Sequence, residues 1–138
     1  MKFNSLIPEL TVKDIERTKT LYTDVMGFTV EYEREEDRFV FLSLEGNQLM
    51  FEQENGNWNT GVLEYPYGRG VNFEMRVSDV DGLYETVLKH GIPVFRELRT
   101  SHYRNDDEDI IQKEFLLLDP DGYLLRFYGL MKKGWHIF

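Results

Sequence analysis

No cysteine occurs among the 138 residues, which excludes disulfides, thiolate metal sites and cysteine nucleophiles. Histidine is scarce as well: His90, His102 and His136 fall at a helix end, in a loop and in the tail, where no catalytic role is needed to explain them. No apolar run approaches the length that spans a bilayer, and the opening stretch Met1–Glu9 has no apolar core long enough for a signal peptide. A cytoplasmic protein without a membrane partner is expected. Positive charge is the third shortage, since 16 Lys and Arg against 25 Asp and Glu leave a formal charge of −9. Nucleic acids and anionic membranes demand basic patches, so neither is an expected partner; the acidic balance is read first as serving solubility and, in the sharper reading, as attracting a cationic ligand. Gly68-Arg69-Gly70 lacks the spacing of a phosphate loop, and Asp106–Asp109 lacks the glycine of a calcium loop. No serine elbow or nucleophile–base pair stands out.

What the chain does contain is 41% hydrophobic and 30% charged residues, the balance of one globular domain. At this length folding buries roughly two thirds of the unfolded surface. The chain is organised around residues 114–128, where apolar runs Phe115–Leu118 and Tyr123–Tyr128 flank Asp119-Pro120-Asp121-Gly122. Proline fixes φ near −65° and glycine accepts positive φ, so a tight turn between two strands is predicted. Strand alternation puts Tyr123, Leu125 and Phe127 on one face and Leu124, Arg126 and Tyr128 on the other. Arg126 in the middle of an apolar strand suggests a cleft.

The same phrase recurs at Phe39–Glu52, with Gly46 matching Gly122, Phe51 matching Phe127 and Met50 matching Arg126. Leu10–Ile15 likewise repeats as Met75–Val80. Each copy leads into a short helix, capped by Asp14 in the first and by Ser78 or Asp79 in the second, and ended by Gly27 or Gly91. Predicted helix stripes are Ile15, Tyr22, Val25 and Met26, then Val80, Leu83, Val87 and Leu88. Before the first helix, residues 6–12 alternate, with Leu6, Pro8, Leu10 and Val12 facing one way. Strands are predicted at about 28–34, 38–44 and 48–53, a Gly/Asn-rich linker with Trp58, Tyr65 and Tyr67 at 54–70, and a strand at Ile92–Leu98. The linker aromatics are expected to pack. An exposed loop is predicted at 99–113, and the tail from Met131 is left without a structure. The organisation is thus two copies of one strand–helix–three-strand unit, about 5–53 and 71–129, in a single α+β domain.

These phrases carry a resemblance. Pro8-Glu9-Leu10-Thr11 with Asp14, Leu21-Tyr22-Thr23-Asp24 running to Gly27-Phe28, and Glu114-Phe115 followed by Asp119–Gly122 resemble the vicinal oxygen chelate superfamily of glyoxalases, extradiol dioxygenases and bleomycin-resistance proteins. The likeness covers about 6–129 and is strongest to the bleomycin-resistance branch. It implies two βαβββ modules related by a pseudo-twofold, whose curved mixed sheets form an open cleft. The four positions at which the superfamily's enzymes hold a divalent metal fall on Ile7, Met50, Asn72 and Arg126. None is the imidazole or carboxylate that such metals prefer, and a guanidinium repels them. No metal and no cofactor are therefore expected.

The leading reading is a metal-free binding protein that sequesters a cationic, planar antibiotic or metabolite. Its expected ligand-binding residues are the carboxylates Glu9, Glu52 and Glu74, the aromatics Phe39, Phe41 and Trp58, and Met50, Asn72 and Arg126. Where the resemblance implies a tryptophan three residues before the Glu-Phe pair, this chain has Ile111. It also implies a homodimer with N-terminal arm contacts near Pro8. The alternatives are a metal-dependent enzyme of the glyoxalase or dioxygenase kind and a partner-binding module without ligand chemistry. A shifted cation site at Glu9, Glu52 and Glu74 is the variant of the enzyme reading that keeps a metal.

Overall fold

The computed structural model describes residues 2–132. The chain divides into two compact units, the first ending at Tyr67 and the second beginning at Gly68.

In the first unit, β1 (Glu9–Val12) leads into α1 (Ile15–Thr20), which continues as a wider π turn over Leu21–Val25. Three strands follow, β2 (Thr29–Arg34), β3 (Phe39–Leu44) and β4 (Asn47–Gln53), in the sheet order β1-β4-β3-β2. Only β1 and β4 run parallel; the hairpin neighbours are antiparallel. The Asp14 carboxylate accepts hydrogen bonds from the Glu16 and Arg17 amides at 3.1 and 3.2 Å, satisfying donors that the first helical turn leaves open. Gly27 follows the helix at φ +83°, the left-handed residue that ends it. The helix packs Tyr22 against Phe51 of β4, with ring centroids 4.6 Å apart. Val12, Tyr22, Val40, Leu42 and Phe51 form the buried layer between helix and sheet. The buried stripe differs in part from expectation: Leu21 and Thr18 join it, while Val25 stays half-buried, because the π turn rotates the last residues relative to a regular helix. Leu6 is 80% exposed and lies before β1, which begins at Glu9.

The second unit repeats the order with β5 (Asn72–Arg76), α2 (Val80–Lys89), β6 (Val94–Asn105), β7 (Glu108–Leu118) and β8 (Leu124–Lys132), in the sheet order β5-β8-β7-β6. Asp79 caps α2 through the Gly82 amide at 3.0 Å. Val80 and Val87 are buried beneath the helix, but Leu88 is 49% exposed and lies outside the stripe.

The largest departure from the sequence reading is at 99–113. This stretch is not a loop: β6 and β7 pair from Arg99↔Glu114 to Asn105↔Glu108, turning at Asp106, which has φ +58°. Between Arg99 and Asp109 the described side chains are exposed and carry little apolar alternation, so the strands there are held by backbone pairing, and burial begins only at Ile110 and Ile111. β8 also runs past Tyr128 to Lys132, so Met131 belongs to a strand rather than to a tail. His136 lies outside the described residues.

Asp119–Gly122 forms the predicted turn, in a tighter form than composition suggests. The Asp119 carboxylate, 2% exposed, accepts from the amides of Asp121 at 3.0 Å and Tyr123 at 2.9 Å. Gly122, at φ +86°, donates its amide to the Asp119 carbonyl, and its own carbonyl accepts from Gly68. Between Gln53 and Asn72 there is no strand or helix, and Trp58 and Tyr65 are 62% and 59% exposed, more open to solvent than the sequence reading expects.

Candidate functional site

Strand alternation sorts the first sheet into two faces. Val40, Leu42, Leu49 and Phe51 turn towards the helix, leaving Phe39, Phe41, Met50 and Glu52 on the other side. Register then makes neighbours of these residues: Phe39 pairs with Glu52, Phe41 with Met50, and Glu9 of β1 with Met50. A bulge in β2 between Val30 and Tyr32 shifts that strand by one residue and places Tyr32 opposite Phe41 and Arg34 opposite Phe39.

An aromatic cluster results. Tyr32 lies nearly parallel to Phe41, with centroids 5.3 Å apart at 12°, and stacks on Phe39 at 5.8 Å. Phe3 meets Phe41 edge-on at 5.5 Å. Phe3 is held there because Asn4 and Lys2 are latched to β4: the Gln48 amide oxygen accepts from the Asn4 N–H at 2.8 Å, and the Gln48 Nε2 donates to the Lys2 carbonyl at 2.7 Å. Phe39 and Phe41 are only 1% exposed, so Tyr32 and Phe3 are the rings presented to solvent. The Arg34 guanidinium carbon sits 4.1 Å from the Phe39 centroid.

Negative charge borders the cluster. Glu52 is buried to 8% exposure, and its Oε1 accepts a hydrogen bond from Asn55 at 3.1 Å. Partial burial and, second, the neighbouring Glu52 carboxylate hold the Glu9 carboxyl above its ordinary value, while the Arg34 charge offsets part of the rise. A cavity of about 500 Å³ adjoins Glu52, with carboxylates of Glu36, Asp37 and Glu54, the amides of Gln53, Asn55 and Asn57, and Arg38 on its walls. Trp58 lies on the segment beyond it, exposed.

In the second unit the chemistry centres on Arg126. Its Nη2 meets Glu74 at 2.9 Å and Glu114 at 3.0 Å, while Nε also donates to Glu114 and Nη1 donates to the Asn72 amide oxygen at 3.2 Å. Two carboxylates against one guanidinium leave this cluster one negative charge. The predicted residues Asn72, Glu74 and Arg126 therefore come together, as do Glu9, Phe39, Phe41, Met50 and Glu52 in the first unit. Ile7 is half-buried just before β1.

Tyr32, Arg34, Phe3 and the ion-pair role of Glu114 were not singled out from the sequence. Glu114 was within reach: it shares a face with Leu116, the register partner of Arg126 across the hairpin. The bulge that brings in Tyr32 and Arg34 leaves no such mark. Among the described residues, no group of three or more His, Cys, Asp or Glu side chains is arranged to hold a metal ion, and no helix is long and apolar enough to cross a membrane.

An α+β protein made of two βαβββ units, each carrying polar and charged side chains on the sheet face turned from its helix, is the class this geometry defines. The chain belongs to the Glyoxalase/Bleomycin resistance protein/Dioxygenase superfamily, whose family model matches residues 3–127. It is 26% identical over 135 residues to a bleomycin resistance protein of Geobacillus stearothermophilus, covering 91% of this chain and 96% of that one. A glyoxalase/bleomycin resistance protein/dioxygenase from Alicyclobacillus acidocaldarius has a similar structure at 23% identity and a TM-score of 0.62, covering 91% of this chain and 89% of that one. TioX from Micromonospora sp. ML1 is similar at 18% identity and a TM-score of 0.70, covering 91% and 98%. At these identities the two structures speak for the fold alone.

Proposed function

We propose that this protein is a metal-free small-molecule-binding protein of the bleomycin-resistance kind, which sequesters a planar, cationic compound in the cytoplasm. The observation that carries this reading is the juxtaposition of Glu9 and Glu52 with the Tyr32–Phe41 stack on one sheet face. Coulomb attraction to the carboxylates and contact with ring faces are the two forces that select a flat cation. Burial first, and the Glu52 carboxylate second, hold the Glu9 carboxyl above its ordinary value, so the two carboxyls lie close enough on this face to act on one ligand group. The relationship to bleomycin resistance proteins supports a binding role.

The superfamily's divalent metal does not fit the residues present. Ile7 and Met50 offer no hard donor, the Asn72 oxygen is engaged by Arg126, and Arg126 carries a fixed positive charge. Ile111, buried on β7, offers no ring to a ligand, so the class we commit to is the planar cation rather than bleomycin itself.

Titration of the protein with metal-free bleomycin and with proflavine tests the reading. A bound cation should raise the melting point, by about 2.7 kcal/mol of stabilisation at 100 times its Kd. Absence of both heat and melting shift with either compound would remove the support for sequestration and favour a partner-binding module.

Also proposed is a homodimer with arm contacts near Pro8. Pro8 lies between the Lys2–Asn4 latch and β1, so exchange of the arm could form the same hydrogen bonds on a partner's β4. Light scattering at tens of micromolar should give twice the 16.5 kDa chain mass. A clean monomer contradicts it.

A further inference from the structure

Arg34 is the cation already seated at the proposed site. Its guanidinium carbon lies 4.1 Å from the Phe39 centroid, within cation–π range, and Phe39 stands opposite Glu52 in the sheet. A guanidinium is itself planar, delocalised and weakly hydrated, the properties of the compounds the site is proposed to take. Its hold is nevertheless light. Beyond the ring, it is held by Asp37, three residues on, with Nε 3.0 Å from Oδ2 and the two side chains 44% and 54% exposed, and by a hydrogen bond with the Tyr32 side chain. Exposed pairs of this kind contribute little and do not lock a side chain in place.

We propose that Arg34 is an internal competitor: its guanidinium occupies, on the face of Phe39, the place of the ligand's planar cationic group, and a ligand carrying such a group binds by displacing it. This rests on the function proposed above. Phe39 is 1% exposed, with Tyr32 stacked on it and Arg34 over its ring, so displacement of Arg34 uncovers part of a ring that the resting protein hides. Asp37 can retain the displaced guanidinium, because it sits on the adjoining 3₁₀ turn rather than on the sheet. Removing one positive charge from beside Glu9 and Glu52 leaves these carboxylates for the incoming cation, and the Arg34 charge does act on Glu9. The cavity that Glu52 and Asp37 share, about 500 Å³, is also walled by Arg38, the chain neighbour of Phe39. The competition sets specificity: a ligand must outcompete a guanidinium, which favours delocalised flat cations over neutral rings.

The test compares the whole protein with its Arg34→Gln and Arg34→Lys variants, using proflavine as the planar cation and acridone as a neutral ring of similar outline. Melting curves confirm folding, and R34K keeps the charge in a more strongly hydrated form if R34Q proves unstable. R34Q should bind proflavine about two- to fivefold more tightly than the unaltered protein, with R34K in between and acridone unchanged. Equal or weaker proflavine binding by both variants, while the unaltered protein binds it, overturns the competitor role and leaves the sequestration reading standing. An equal gain for acridone also overturns it, because Arg34 is then only a steric cover. Failure of all three proteins to bind proflavine removes the sequestration reading, and the competitor with it.

Discussion

Glu9 illustrates how much a single carboxyl can report. Its pKa is raised above the ordinary 4.5, first by partial burial and then by Glu52. A carboxyl that is easier to protonate in the folded than in the unfolded state holds extra protons when folded. Folding stability then falls as pH rises from the unfolded pKa through the higher folded one. Glu9→Gln should therefore melt at the same or a higher temperature than the parent at neutral pH, and it should lose part of the stability change between the two pKa values. Melting curves across that acid range check this, and a variant less stable at neutral pH would contradict it. The facing of Glu9, Glu52, Glu74 and Arg126 was legible in the sequence, because strand alternation alone decides it. The burial of Phe39 and Phe41 was not. It depends on Tyr32 and Arg34, which reach them only through a one-residue bulge that periodicity does not reveal.

At the scale of elements, local chemistry was the most readable. Asp14 and Asp79 cap their helices through side-chain oxygens, and Gly27, Gly91 and Gly122 take positive φ where turns were expected. The β6–β7 hairpin escaped because its outer half carries exposed, mixed charges on both faces, so nothing in the hydrophobic pattern marks a strand. The Asp119 turn carries a prediction of its own. Asp119→Ala leaves the buried amides of Asp121 and Tyr123 without the oxygen they share, at a cost of about 2 kcal/mol. Denaturant unfolding measures it. A loss under about 0.5 kcal/mol would mean that the amides find other acceptors, and the turn would then owe its shape to Pro120 and Gly122 alone.

For the whole molecule, internal repetition was the decisive sequence signal. The two units share strand order and pairing: Glu9↔Met50 and Leu10↔Phe51 in one correspond to Glu74↔Arg126 and Met75↔Phe127 in the other. Repetition of the backbone did not extend to charge. Where the second unit pairs Glu74 and Glu114 directly with Arg126 of β8, the first places Met50 at the matching position of β4, and the cation that acts on Glu9 is Arg34 of β2. We propose that this difference favours the first unit for the cationic ligand, in a chain whose formal charge is −9.

The central claim is that charge on this face recognises the ligand, and calorimetric titration with proflavine over a range of salt tests it most directly. Three proteins are compared: the unaltered chain, Glu52→Gln, which keeps the shape and an acceptor for Asn55, and Trp58→Ala. Binding to the unaltered chain should weaken with added salt, because salt screens the attraction of this acidic face for a cation approaching through solvent. Glu52→Gln should lose at least about tenfold in affinity and show a shallower salt dependence, as expected on removing a charge-assisted contact. Trp58→Ala should weaken binding with the salt dependence intact. Affinity and salt dependence unchanged by Glu52→Gln would contradict the account.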